Sequence, residues 1–108
     1  DLLQRGEVDA SFVIGSDPGS HFPFKSVKKI YDLPSVCIDP HMTPTAAVSK
    51  CHVPVALVGI EVAGSCYRMD NVPIESRKVV DAPEGMLTDA EFLEMVLEEV
   101  NKIKGAAA

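Results

Sequence analysis

The chain has 108 residues, which suits one domain and is short for two. Hydrophobic residues make up 46% and charged residues 24%, which excludes a disordered tail and allows a core. With 16 acidic and 10 basic side chains the formal net charge is -6, so the basic surface that a nucleic-acid binder of this size needs is absent.

DLLQRG, residues 1–6, reads as the last turn of a helix closed by Gly6. A chain that opens there, on Asp1 rather than Met, is expected to be a piece of a longer one. Ala10 to Ile14 is a short, continuous apolar run, the pattern of a strand buried on both faces in a parallel sheet. It breaks into the loop Gly15 to Pro23. Phe24 to Leu33 is expected to be a helix, with Phe24, Val27, Ile30 and Tyr31 on one face, Pro23 at its start and Pro34 at its stop.

Ser35 to Ile38 is a second apolar strand, ending at Asp39. Thr43-Pro44 is a helix start, a hydroxyl cap followed by proline at the first helical position. His52 to Leu57 is a third apolar segment, in which Pro54 marks an edge, a bulge or the start of a loop. Residues 59–80 read as a hairpin or irregular arm around Asp70-Asn71, and residues 81–85 as a loop. The last helix begins with a capping box, Thr88 and Glu91. Its apolar stripe is Phe92, Leu93, Val96, Leu97, Val100 and Ile103, and Gly105 is expected to end it before the short tail Ala106 to Ala108. The order predicts one α/β domain over 1–108. Its architecture is Rossmann-like and three-layered, with a mostly parallel sheet, a hairpin-like arm and a C-terminal amphipathic helix.

Parallel sheets bind ligands beyond the carboxyl ends of their strands, and two loops leave those ends here. The first carries Gly15, Ser16, Asp17 and Pro18, and the second carries Asp39, His41, Thr43 and Thr45. Both lead into helix starts, where backbone N–H groups favour a phosphate. Asp39 at a strand end suits a ribose or a guanine edge. The same residues also read as two ordinary turns and a cap, because G-S-D-P-G-S has neither dinucleotide nor P-loop spacing. Arg68 suits a phosphate or carboxylate, or a surface ion pair. Cys37, His41, Cys51 and His52 lack the paired spacing of structural zinc sites. Ser16, His21 and Asp39 make a conceivable nucleophilic set without a nucleophile elbow. Three widely spaced cysteines argue against a disulfide framework and for a reducing, cytoplasmic setting. No apolar run approaches the roughly 20 residues of a membrane helix, so no membrane partner is expected.

Longer blocks carry a resemblance. VDASFVIGSDPGSHFP, IDPHMTPTAA and VPVALVGIEVAGSCYRMDNVPIESRKVV, in that order, are similar to the catalytic B subunit of formylmethanofuran dehydrogenases. These are molybdenum or tungsten enzymes of the molybdopterin oxidoreductase (dimethyl sulfoxide reductase-like) superfamily. The superfamily pattern is a strand ending in G-x-D/N-P, then one ending in D-x-x-x-T-x-T-A. It falls here on Gly15, Asp17 and Pro18, then Asp39, Thr43, Thr45 and Ala46. The resemblance implies a domain that holds the guanine-nucleotide end of a molybdopterin guanine dinucleotide, in its molybdenum or tungsten form. Gly15 to Pro18 would approach through the backbone, and Asp39 would recognise guanine or ribose beside His41, Thr43 and Thr45. Arg68, in the run Tyr67-Arg68-Met69-Asp70, would reach toward the cofactor or substrate. The parent enzyme would reduce CO2 to the formyl level, or run the reverse, in methanogenesis-type one-carbon metabolism. The metal and iron–sulfur ligands of the family lie upstream of this segment. No catalytic or metal-ligating residue is therefore assigned here, and the piece alone is expected to be inactive and to co-purify without cofactor. Its expected partners are the sister domains, the other subunits of the complex and, for the isolated piece, a second copy. The alternative is an α/β interaction or regulatory module without cofactor.

Overall fold

A computed structural model describes residues 2–106. The expected first helical turn is therefore seen from Leu2. Asp1 and the tail residues Ala107 and Ala108 lie outside the described residues. The chain forms two compact units, one running to Pro54 and one from Val55.

The first unit opens with α1 (Leu2–Arg5). It closes as a Schellman turn, in which Gly6 N–H donates to Leu3 O at 3.2 Å and Glu7 N–H to Leu2 O at 3.1 Å. Then come β1 (Ser11–Ile14), α2 (Pro18–His21), α3 (Phe24–Asp32), β2 (Ser35–Ile38), α4 (Pro44–Val48) and β3 (Cys51–Val53). The three strands form one parallel sheet in the order β1-β2-β3. Ser11 pairs with Ser35 and Ile14 with Ile38, so β1 and β2 begin and end level. This is the expected mixed α/β architecture with a parallel sheet.

The core sits on β2 and its two neighbouring helices. Cys37 and Ile38 on β2, Ile30 on α3 and Ala46 on α4 are all buried. Buried polar groups there are partnered. Ser35 Oγ accepts from Lys50 N–H at 3.0 Å, and Ser26 Oγ accepts from the Gln4 amide at 3.0 Å.

Three expectations are corrected. First, β1 is not buried on both faces: Phe12 is 50% and Ile14 42% exposed, and as alternate residues they mark one face of the strand as only partly covered. Second, the loop after β1 contains a helical turn, α2, with Pro18 in its first turn. Third, α3 buries Ser26 and Ile30 rather than its whole apolar stripe, and Phe24 is 81% exposed. Tyr31 is also exposed, with Lys50 Nζ 4.3 Å above its ring centroid.

The second unit begins with a tight turn. Leu57 O accepts from the N–H groups of Ile60 and Glu61, and Glu61 Oε2 returns to Leu57 N–H at 2.8 Å. The arm is a two-stranded antiparallel hairpin, β4 (Gly64–Tyr67) and β5 (Pro73–Ser76). Its turn runs from Arg68 to Val72 and carries Asn71 at φ +62°. The facing residues Ser65 and Glu75 are hydrogen-bonded at 2.8 and 2.9 Å. The final helix, α5 (Asp89–Ala106), starts at the expected capping box. Thr88 N–H donates to Glu91 Oε2 at 2.8 Å and Glu91 N–H to Thr88 Oγ1 at 3.1 Å. Phe92, Leu93 and Val96 are half-buried while Leu97, Val100 and Ile103 are exposed. The helix runs through Gly105 to Ala106, one turn position past its expected stop. No described helix is long and apolar enough to cross a membrane.

Candidate functional site

The parallel register brings the loops after β1 and β2 out side by side. Gly15 N–H still donates to Ile38 O at 2.9 Å, extending the ladder by one bond. The chain then turns at Gly15, whose φ of +53° is left-handed and favours glycine. Asp17 follows, and its carboxylate reaches across to α4. Asp17 Oδ1 accepts from Thr45 N–H at 3.0 Å and from the Thr45 hydroxyl at 2.6 Å. Asp17 Oδ2 accepts from the Ser20 hydroxyl. These bonds favour the ionised form, and the Ser20 hydroxyl first, then Thr45, hold the carboxyl below its ordinary range.

Thr45 is fully buried and accepts in turn, from Gly19 N–H at 2.7 Å on its Oγ1. A Cβ on Gly19 would lie 2.7 Å from Thr45 N and 2.9 Å from Pro44 C. Only glycine permits α2 and α4 to approach this closely. The helix starts are thus engaged within the chain. Thr45 N–H faces Asp17, Ala46 N–H donates to Thr43 Oγ1 at 3.1 Å, and Ala47 N–H to Thr43 O at 2.9 Å. Thr43 acts as the cap that its position beside Pro44 predicts.

Asp39 sits at the end of β2, buried to about nine-tenths of its side chain. Its Oδ1 accepts from His41 N–H at 2.8 Å, and the His41 ring, itself mostly exposed, stands 3.8 Å away. On the other side, Asp39 O lies 2.9 Å from His52 Nε2, which fixes that ring nitrogen as the one carrying the proton. Beneath, the Cys37 thiol is pushed up by burial and then by the Asp39 charge, so it stays a neutral core group.

The first unit therefore gathers Gly15, Ser16, Asp17 and Pro18 beside Asp39, His41, Thr43 and Thr45 at one end of its sheet. Arg68 belongs to the second unit, on the hairpin turn, where it forms an exposed ion pair with Asp70.

Sequence reasoning does not find a cavity of about 420 Å³ in the first unit. Ser16, Asp17 and His21 line its polar side, and Phe12, Phe22 and Ile30 its apolar side. Ser11 also lines it, and its Oγ is a buried polar atom without a partner among the described residues. Asp39 does not line it, so the conceivable Ser16–His21–Asp39 set is not assembled there. Nothing in the spacing points to the cavity, because Phe12 and Ile30 read as ordinary core. Among the described residues no three His, Cys, Asp or Glu side chains are grouped to hold a metal ion.

No protein-family model matches the chain. It is 51% identical over 104 residues to the B subunit of the tungsten-containing formylmethanofuran dehydrogenase 2 of Methanococcus maripaludis, covering 96% of this chain. It is 52% identical over 103 residues to the protein of the same name from Methanocaldococcus jannaschii, covering 95% of this chain. The chain spans only 24% of the length of either relative.

Proposed function

We propose that this chain is part of the B subunit of a tungsten- or molybdenum-containing formylmethanofuran dehydrogenase. In this reading it belongs to the wider molybdopterin oxidoreductase superfamily, and 1–108 is one Rossmann-like domain of that larger polypeptide. The observation that carries it is identity of 51% and 52%, sustained over nearly the whole chain, with two relatives of that name. The parent enzyme would interconvert CO2 and the formyl level of methanofuran in the cytoplasm, in complex with other subunits. The metal–pterin group would supply the two-electron chemistry. By the resemblance, the metal would be held by residues elsewhere in the parent, and the 108 residues alone would turn over nothing.

Within that reading, the first unit holds the guanine-nucleotide end of the pyranopterin dinucleotide. The donor set fits a nucleoside better than a phosphate held by helix starts. Asp39 is an acceptor at a strand end, buried yet engaged by His41 N–H through one oxygen. Such a carboxylate suits the N–H groups of a guanine edge or the hydroxyls of a ribose. Gly15 and Ser16 lie on the neighbouring loop and bring backbone close. The N–H groups at the start of α4 already have partners in Asp17 and Thr43. Phosphates would therefore be met elsewhere in the parent. The same engaged donors favour a second reading, a module that keeps the fold without the ligand.

Titration of the isotope-labelled chain with GDP distinguishes these. Binding through this site shifts the amides of residues 15–18 and 39–45. Shifts confined to residues 52–60 would assign the ligand elsewhere, and no shifts would favour the ligand-free module. Membership of the enzyme is tested on the full-length parent: tungsten or molybdenum content, and formylmethanofuran oxidation with an artificial electron acceptor. Absence of both would remove the reading.

A further inference from the structure

We propose that Asp17 is a positioning residue: an internal carboxylate that ties the loop after β1 to the first turn of α4 and makes the two loops one binding surface. The inference rests on the nucleotide reading above and gives Asp17 a role different from direct contact with the ligand.

Three observations carry it. Both carboxylate oxygens of Asp17 are engaged inside the chain, Oδ1 by Thr45 twice and Oδ2 by Ser20. The receiving residue is fully buried, so Thr45 is not itself presented to a ligand. The tie is closed a second time by Gly19 N–H on Thr45 Oγ1 at 2.7 Å, across a gap that admits no side chain at position 19. A carboxylate so engaged has little left to offer a ligand, and its negative charge beside the start of α4 disfavours a phosphate there. What it does control is the placement of Gly15 and Ser16, two residues upstream and one, relative to Asp39 and Thr43 on the adjoining loop. A free loop would have to be ordered at the moment of binding, and a pre-tied loop avoids that entropy cost.

The test is a double-mutant cycle on the 108-residue chain with Asp17→Ala, which removes the acceptor, Thr45→Val and both. Two readouts are used, amide hydrogen exchange without ligand and affinity for GDP. Thr45→Val removes only the hydroxyl. The proposal expects the Gly19 amide to lose its protection in both single variants, while Gly15, bonded to Ile38 O, keeps its own. Thr45→Ser, which retains the hydroxyl, restores protection at Gly19. GDP affinity is expected to fall about tenfold in each single variant and no further in the double, because both break one tie. Protection at Gly19 that survives Asp17→Ala overturns the proposal. Additive losses of GDP affinity also overturn it, since they mean that Asp17 meets the ligand by itself. If the unaltered chain binds no GDP, the nucleotide reading fails, and the exchange pattern alone decides whether the tie exists.

Discussion

Asp17 and Thr45, 28 residues apart, share two hydrogen bonds on one carboxylate oxygen, at 3.0 Å from the Thr45 N–H and 2.6 Å from its hydroxyl. Asp17 lies on the loop after β1 and Thr45 in the first turn of α4, so the pair ties that loop to the helix that follows β2. Its strength is testable in folding as well as in binding.

Thr45→Val keeps the shape and removes the hydroxyl. The Gly19 N–H then loses its acceptor, and Asp17 loses one donor. A buried donor without a partner costs about 1–3 kcal/mol. Urea unfolding should show a loss in that range, and Thr45→Ser should recover most of it.

Gly19→Ala tests the close approach. Its new Cβ would meet backbone at 2.7 Å, and backbone cannot move aside as a side-chain tip can. Overpacking of this kind costs about 1–3 kcal/mol. Gly105→Ala is the control. It lies inside α5 with nothing within 4 Å of its Cβ, so alanine there should stabilise by roughly 0.5–1 kcal/mol. Opposite signs in thermal unfolding are expected.

The pH dependence follows from carboxyls held below their ordinary range. Ser20 and Thr45 do this to Asp17, Arg68 to Asp70, Lys78 to Asp81, and the Thr88 N–H to Glu91. A folded-state value below the unfolded one stabilises fully above the unfolded value, near about pH 4. That stabilisation is lost as pH falls through the folded value. Urea midpoints should therefore be level above about pH 5 and drop below about pH 4. Added salt should weaken the contributions of the exposed Asp70 and Asp81 pairs and leave that of Asp17 largely in place. Asp17→Asn should flatten part of the acid slope, read from the same titration.

The hairpin unit exposes Tyr67, Met69, Val72, Ile74, Val79 and Val80. Exposed apolar side chains in such number seek cover. The isolated chain should self-associate, with sedimentation coefficients that rise with concentration. Tyr67→Ser with Met69→Ser should return it toward monomer, and a wild-type chain that stays monomeric at all concentrations would remove the expectation.

Elements set by local chemistry are readable from sequence. The Thr43-Pro44 helix start, the Thr88–Glu91 box, the hairpin at Asp70-Asn71 and the strand ending at Asp39 all lie where short-range rules put them. What escapes depends on distant partners. Asp-Pro-Gly-Ser reads as a turn, and becomes the helical turn α2 with Gly19 N–H held by a residue 26 positions away. The apolar run in β1 reads like a strand buried on both faces, but exposure of Phe12 is decided by what covers that face of the sheet, which no local pattern states. The loops of the candidate site are legible, whereas the Asp17–Thr45 tie between them is not. Hydrogen-bond partners across a parallel crossover leave no spacing signature.

The level register of β1 and β2 also sets where the chain tolerates changes of length. Ile14 and Ile38 stand opposite each other, and both loops start from that height. Removing one residue from either strand would drop one loop by about 3.3 Å and turn its side chains to the opposite face. Asp17 would then miss Thr45. A residue added at the exposed end of α3, beside Asp32, would be taken up by the crossover and leave both strand ends where they are. Insertions for labels or linkers thus belong on the crossover near Asp32, at the opposite end of the strands from the loops after β1 and β2.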